Sequence, residues 1–217
     1  MGCEGARGRV LVVAGSPQVA SAGTLREAAR GCGAVVAVDR GLDAVLAAGL
    51  SCDLFCGDAD TVSAEGAALV ASGELAAERY DPHKDDTDLG LALGAVRARW
   101  GAVTVRATCA SGGRPDHLLG VLGRLAAWEG PVELAEDGMR GRVLRAGEAW
   151  EIEGAAGAAF SVVPLSPGTV LSERGMRWEL DRAPVALLSD LGISNVVEAP
   201  CAEVSCHEGC AVAYLFG

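Results

Sequence analysis

The segment YDPHKDDTDLGLAL (80–93) places Asp81, Asp85, Asp86 and Asp88 within eight positions, with His83 and Lys84 among them and an apolar run directly behind. Like charges this close repel, and more strongly where a folded chain lowers the local dielectric. A solvated loop tolerates such a cluster. A helix start accounts for one or two of the acids, with Asp86 or Thr87 as its cap, but not for four. Lys84 beside them suits a phosphorylated ligand whose negative charge is divided between a lysine and a carboxylate-held cation.

Three further clusters have compatible chemistry. In GDADT (57–61), Asp58 and Asp60 stand at i and i+2 behind a glycine, so both can reach one hard cation from a tight turn. Taken alone, an aspartate at a strand end more commonly just shapes a turn. In SGGRPDH (111–117), Gly112 and Gly113 present N–H groups at a helix start, where the dipole favours anions. Arg114 can grip phosphate oxygens at two points, and Asp116 and His117 fall in the first helical turn. VDRG (38–41) adds Asp39. No G-x-x-x-x-G-K-[ST] occurs, so the chain is not a P-loop protein. Carboxylates for Mg2+, Lys84 and Arg114 for phosphate, and glycine-rich backbone describe a phosphoryl or pyrophosphoryl transfer site. They do not name the acceptor.

The elements that must position these residues alternate. Strands are predicted at 9–15, 34–39, 52–58, within 74–81, at 102–111 and at 131–137, and helices at 24–31, 41–49, 63–73, 87–100 and about 115–128. Thr24 with Glu27 forms a capping box, Ser63 caps the third helix, and Leu89, Leu93, Val96 and Trp100 share one face of the fourth. Such alternation implies a mainly parallel sheet covered on both faces, with ligands beyond the carboxyl ends of its strands. Asp39, the 57–60 pair, the 81–88 cluster and 111–114 each follow a strand. After about residue 140 short alternating segments take over: RVLRA, EAWEIE, AAFSVVPL, TVLSE, MRWEL and CAVAYLF. The expected fold is therefore an α/β domain at 1–138 and an all-β sandwich at 139–217, with the boundary near Gly138–Gly141.

The chain has 217 residues, 50% of them hydrophobic and 4% aromatic, which allows a large core built mostly of Ala, Val and Leu. A net charge of −11 argues against a nucleic-acid partner, whose phosphates require Lys and Arg. MGCEGARGRV has no apolar leader core and no stretch is long enough to span a membrane, so a reduced, cytoplasmic protein is expected. Of the eight cysteines, Cys201, Cys206 and Cys210 with His207 match no common zinc spacing and read as buried thiols, with zinc a minor alternative. Cys52 and Cys56 read as small hydrophobes.

VDRG (38–41), GDADT (57–61), KDDTD (84–88) and GGRPDH (112–117), followed by RGMRWEL (174–180) and GISN (192–195), occur in this order. Together they resemble the motifs of the thiamine pyrophosphokinase (thiamine diphosphokinase) family, over about residues 9–217. Arg40 stands where that family usually has Gly, and Thr61 replaces a Ser while keeping its hydroxyl. The resemblance implies an α/β catalytic domain, a β-sandwich thiamine-binding domain and a homodimer with active sites between subunits. It implies conversion of thiamine to thiamine diphosphate with ATP and Mg2+, releasing AMP. Asp58, Asp60 and Asp88 would hold Mg2+ and act with Lys84 and Arg114 in catalysis. Asp39, Asp85, Thr87, Ser111, Gly112, Gly113, Asp116 and His117 would serve the nucleotide. Trp178 would stack on the thiamine rings, and Ser194 and Asn195 would hydrogen-bond the aminopyrimidine. From the residues alone, Trp178 reads equally as a sandwich-core tryptophan and the Ser-Asn pair as a turn. Two rivals stand beside this reading: a pyrophosphokinase acting on a pterin alcohol, and a non-catalytic nucleotide- or metal-binding sensor.

Overall fold

RVLVV and AVVAV are apolar at almost every position, the pattern of strands covered on both faces. They form β1 (Arg9–Val13) and β2 (Ala34–Val38). The computed structural model describes residues 8–79 and 86–217, so Asp81, Lys84 and Asp85 lie outside the described residues. Two compact units result: one runs to Pro131 and includes Ala135–Asp137, and the other comprises Val132–Leu134 and Gly138–Gly217.

In the first unit, β1 and β2 join β3 (Leu54–Gly57), β4 (Ala77–Arg79) and β5 (Thr104–Thr108) in a parallel sheet ordered β5-β1-β2-β3-β4. Between strands run α1 (Ala22–Ala29), α2 (Gly41–Ala47), α3 (Ala64–Ser72), α4 (Asp88–Trp100) and α5 (Pro115–Ala127). Leu11, Leu25, Leu42 and Phe55 are completely or almost completely buried among these elements, each contributing about 1.5–3 kcal/mol. Because β5 lies beside β1 on the side away from β2, the strand order reverses there. In open α/β sheets such a reversal opens the crevice where ligands bind.

Local capping follows the sequence with one displacement. Ser63 accepts the Gly66 N–H and Thr87 accepts the Gly90 N–H, as their spacing predicts. The box expected at Thr24 and Glu27 is instead replaced by Ser21, which caps α1 by accepting the Thr24 N–H. Asp137 selects this start: it accepts hydrogen bonds from the Ser21 N–H, the Ser21 hydroxyl and the Thr24 hydroxyl.

Strand β6 (Val132–Glu136) leads on to β7 (Met139–Arg145), β8 (Glu148–Glu153), β9 (Ala159–Pro164), β10 (Thr169–Arg174), β11 (Leu180–Val185), β12 (Asn195–Val196), β13 (Cys201–Glu208) and β14 (Cys210–Phe216). In the second unit, antiparallel ladders run β12-β9-β14-β7 and β11-β10-β13-β8. In EAWEIE, Trp150 and Ile152 turn inward beside Phe160, Leu171 and Val204 while Glu151 and Glu153 turn out. MRWEL, expected as a strand, is mostly a turn. Gly175 takes a positive φ, its N–H donates to the Glu179 side chain, Met176 makes a single bridge to Val197, and the strand resumes at Leu180.

Among the described residues all cysteines are free thiols. Cys56 and Cys206 are buried, but Cys201 is exposed, contrary to the expectation of a buried thiol, because it opens β13 at the sheet margin. Neighbouring Cys206 and His207 project to opposite faces of that strand, and no group of three or more His, Cys, Asp or Glu among the described residues is arranged to hold a metal ion. No helix among them is long and apolar enough to cross a membrane.

Gly41 opens α2 against the end of β1. A Cβ there would stand 2.2 Å from the Val13 carbonyl oxygen and 2.9 Å from that of Ala14. Both obstacles are backbone and cannot rotate aside. Gly41→Ala should therefore lower the unfolding free energy by about 1–3 kcal/mol, read by chemical denaturation.

Candidate active site

The loops leaving β5, β1, β2 and β3 pack in succession along the carboxyl edge of the parallel sheet. Ser16, after β1, donates its hydroxyl to the Ser111 carbonyl after β5. Gly112 and Gly113 have positive φ, and side chains there would collide with Gln18 and Pro17. The Gln18 amide could swing aside but the Pro17 ring cannot, so the close approach at Gly113 requires glycine, and both positive φ values favour it. Gly15 faces the end of β2, where a Cβ would stand 3.3 Å from the Val38 carbonyl oxygen and in ordinary contact, at 3.5 and 3.6 Å, with the Arg40 and Asp39 side chains. Asp39 then reaches across to β3, where a Cβ on Gly57 would lie 1.9 Å from its Oδ1.

Beyond Gly57, Asp58 accepts the Asp60 N–H at 3.0 Å, a side-chain turn that orients both acids. Asp58 and Asp88 are partly buried, whereas Asp60 is exposed. Asp88 occupies the first turn of α4, which packs on β2 and β3. Asp86 accepts the Thr87 N–H and pairs with Arg124 of α5, a partner that sequence patterns do not single out.

Glu136 is a second such residue. Its carboxylate accepts the N–H groups of Cys109, Ala110 and Ser111 at 3.1, 2.8 and 3.1 Å. Burial raises its pKa above the ordinary carboxylate range, with these N–H groups opposing the rise. Ser111, expected at the nucleotide, is thereby turned inward: its N–H serves Glu136 and its carbonyl serves Ser16. Gly112 and Gly113 follow it, and α5 begins with Arg114 as its cap residue. Arg114 grips Asp116 at two points, 3.1 and 2.6 Å, and this guanidinium holds the Asp116 carboxyl down at about 2. His117 is exposed in the same turn.

On the second unit, Trp178 is 60% exposed, so it is not the core tryptophan; Trp150 is. Ser194 is exposed with φ 61°, its N–H donating to the Ser161 hydroxyl. Asn195 is buried and its amide is fully engaged inside the protein. Its Nδ2 donates to Glu173 and to the Trp178 carbonyl, while its Oδ1 accepts the N–H groups of Trp178 and Val196. An amide has two N–H groups and two lone pairs, and all are used. The expected hydrogen bond from Asn195 to a ligand gives way to a grip on the Trp178 backbone. The Arg177 guanidinium lies over the Trp178 ring, 5.6 Å from its centroid, and pairs with Glu198.

Residues 25–132 match the catalytic domain of thiamin pyrophosphokinase, and residues 151–211 match the vitamin B1 binding domain of thiamin pyrophosphokinase. The chain belongs to the thiamin pyrophosphokinase family. It is accordingly an enzyme, a thiamine diphosphokinase with thiamine as substrate, and the pterin and sensor alternatives fall away. Its fold is similar to the thiamine pyrophosphokinase of Bacillus subtilis, at 22% identity and TM-score 0.81, covering 96% of this chain and 98% of that one. The enzyme from Geobacillus thermodenitrificans compares at 26% and 0.79, covering 96% and 97%. That from Candida albicans compares at 14% and 0.78, covering 97% and 90%. No curated protein sequence matches the chain.

Replacing Glu136 by Leu should strand three N–H groups and cost about 1–3 kcal/mol of stability. Amide hydrogen exchange at 109–111 should accelerate in this variant, and unaltered exchange would mean that the carboxylate does not hold the loop.

Proposed function

We propose that the enzyme transfers pyrophosphate from ATP to the hydroxyethyl oxygen of thiamine, giving thiamine diphosphate and AMP, with Mg2+ at the acidic edge. The observation that carries this reading is the unbroken packing of the loops after β5, β1, β2 and β3, which gathers glycine-rich backbone and carboxylates on one edge. In this reading residues 1–138 serve nucleotide and metal, and residues 139–217 serve thiamine.

Asp58 and Asp60 are hard oxygen donors two residues apart, oriented by one turn. Mg2+ commonly takes one or two carboxylates and completes its shell with phosphate oxygens and water, so the donors fit it without a cage of three acids. Asp58, Asp60 and Asp88 would hold it, one or two of them directly and the rest, with Asp85, through its bound water. Bound there, Mg2+ would neutralise charge on the phosphates.

The chain's own residues supply positioning and electrostatics. Gly112 and Gly113 offer backbone N–H groups to phosphate, and Arg114 exchanges Asp116 for phosphate oxygens. Lys84 steadies the transferred group. Asp39, Thr87, Asp116 and His117 frame the nucleotide. Trp178 offers an exposed ring to cationic thiamine, and Ser194 lies exposed for its aminopyrimidine. The thiamine oxygen forms its bond to the β-phosphorus as the bond from that phosphorus to the AMP oxygen breaks. An edge carboxylate takes the hydroxyl proton.

The enzyme is further proposed to be a cytoplasmic homodimer with active sites between subunits. Exposed Leu187, Leu188, Leu191 and Ile193 support a second chain against this surface, and the free thiols support a reducing compartment.

Thiamine with Mg-ATP should yield one AMP per thiamine diphosphate; ADP as the nucleotide product would overturn the reading. Asp58→Asn should keep its melting temperature yet lose turnover by roughly 100-fold or more. Retained activity would remove Asp58 from the metal site.

A further inference from the structure

We propose that Glu173 is a positioning residue for thiamine: through Asn195 it fixes the segment that carries Trp178, beside the Gly192 turn that leads to Ser194. This rests on the assignment of Trp178 to the thiamine site made above.

Glu173 lies on β10, opposite Leu180 of β11 and Val204 of β13, and is completely buried. An ionisable group in such a place is expensive, and an apolar side chain of similar size would be cheaper for the sheet alone. Its surroundings indicate what it does instead. One carboxyl oxygen, Oε2, accepts an N–H of Asn195 at 2.6 Å. The other, Oε1, has no hydrogen-bond partner among the described residues and sits beneath Gly192, 3.1 Å from where a Cβ would stand. Gly192 has φ 104°, and its carbonyl accepts the Val162 N–H, which ties the turn to β9.

Asn195 transmits the restraint. Its remaining N–H donates to the Trp178 carbonyl at 2.7 Å, and its oxygen accepts the Trp178 N–H at 3.1 Å. One amide thus holds both backbone groups of the residue whose ring is exposed. A side-chain amide can turn over and exchange its oxygen for its nitrogen. In the turned orientation its oxygen would face the Glu173 oxygen and the Trp178 carbonyl, so an acceptor at 173 selects the orientation that grips Trp178. Burial pushes the Glu173 carboxyl up to about 7, with the Asn195 hydrogen bond opposing. Near neutral pH the uncharged form is therefore accessible; it keeps an acceptor for Asn195 and avoids part of the burial cost.

The test compares Glu173→Leu, Glu173→Gln and Trp178→Ala by steady-state kinetics and melting temperature. The Leu variant should raise KM for thiamine about tenfold, the worth of one buried hydrogen bond. Its kcat and its KM for ATP should stay near the parent values, while its melting temperature reads the balance between the stranded Asn195 N–H and the relief of a buried carboxyl. Gln, which keeps an acceptor, should restore thiamine KM to within about twofold. An unchanged thiamine KM in the Leu variant, a parallel shift in the ATP KM, or a Gln variant as impaired as Leu would overturn the proposal. Trp178→Ala separates the two levels. If it leaves thiamine KM unchanged, the site reading itself fails; if it raises KM while Leu does not, only the role of Glu173 fails. Should Leu not fold, Glu173→Val carries the same expectation. Failure of both apolar variants to fold beside a folded Gln variant would make Glu173 a determinant of the fold and sink the positioning role.

Discussion

Acidic side chains in this molecule are repeatedly held in place by backbone N–H groups. Asp58 accepts from Asp60, Asp86 from Thr87, Asp53 from Val35, Asp43 from Ser63, and Glu136 from three consecutive residues. A hydrogen bond to the charged form stabilises a carboxylate locally and fixes its direction. In a chain of net charge −11, this anchors Asp58 and Asp86 on defined turns at the carboxyl edge of the parallel sheet. The arrangement depends equally on glycine, since Gly15, Gly57, Gly112 and Gly113 each occupy a spot where a side chain would touch the adjoining loop.

The second unit solves a related problem with different means. A large aromatic ring left 60% exposed needs its backbone fixed, because its side chain has little packing to fix it. Asn195 does this from within, and its own orientation follows from a buried carboxyl one layer deeper. In both units the groups that face a ligand are thus held by polar residues that do not.

Much of this was legible in the residues. Apolar runs gave the parallel strands, alternation gave the sandwich, and Ser63 and Thr87 were readable as caps because their partners lie three residues away. The strand-end rule located Asp39, Asp58 and the 111–114 stretch on one edge. Long-range partners were not legible: Asp137 displacing the α1 cap, Glu136 under the β5 loop and Arg124 on Asp86 join positions far apart in sequence, which only strand register and helix packing bring together. Composition and spacing likewise could not tell an inward amide from an outward one at Asn195. The alternation in MRWEL suggested a strand, but the positive φ of Gly175 and the Glu179 contact made a turn.

The guanidinium resting over Trp178 gives the aromatic surface a different character from a bare ring. Arg177 brings positive charge there and is tethered to Glu198. A cationic visitor that took the same side would swap with a resident one rather than meet an untenanted π-cloud. Much of the ring's electrostatic appeal would then cancel between the two states. Discrimination among visitors would be left to outline and hydrogen-bonding pattern, and the displaced arginine, still leashed to its glutamate, would be ready to return when the visitor departs.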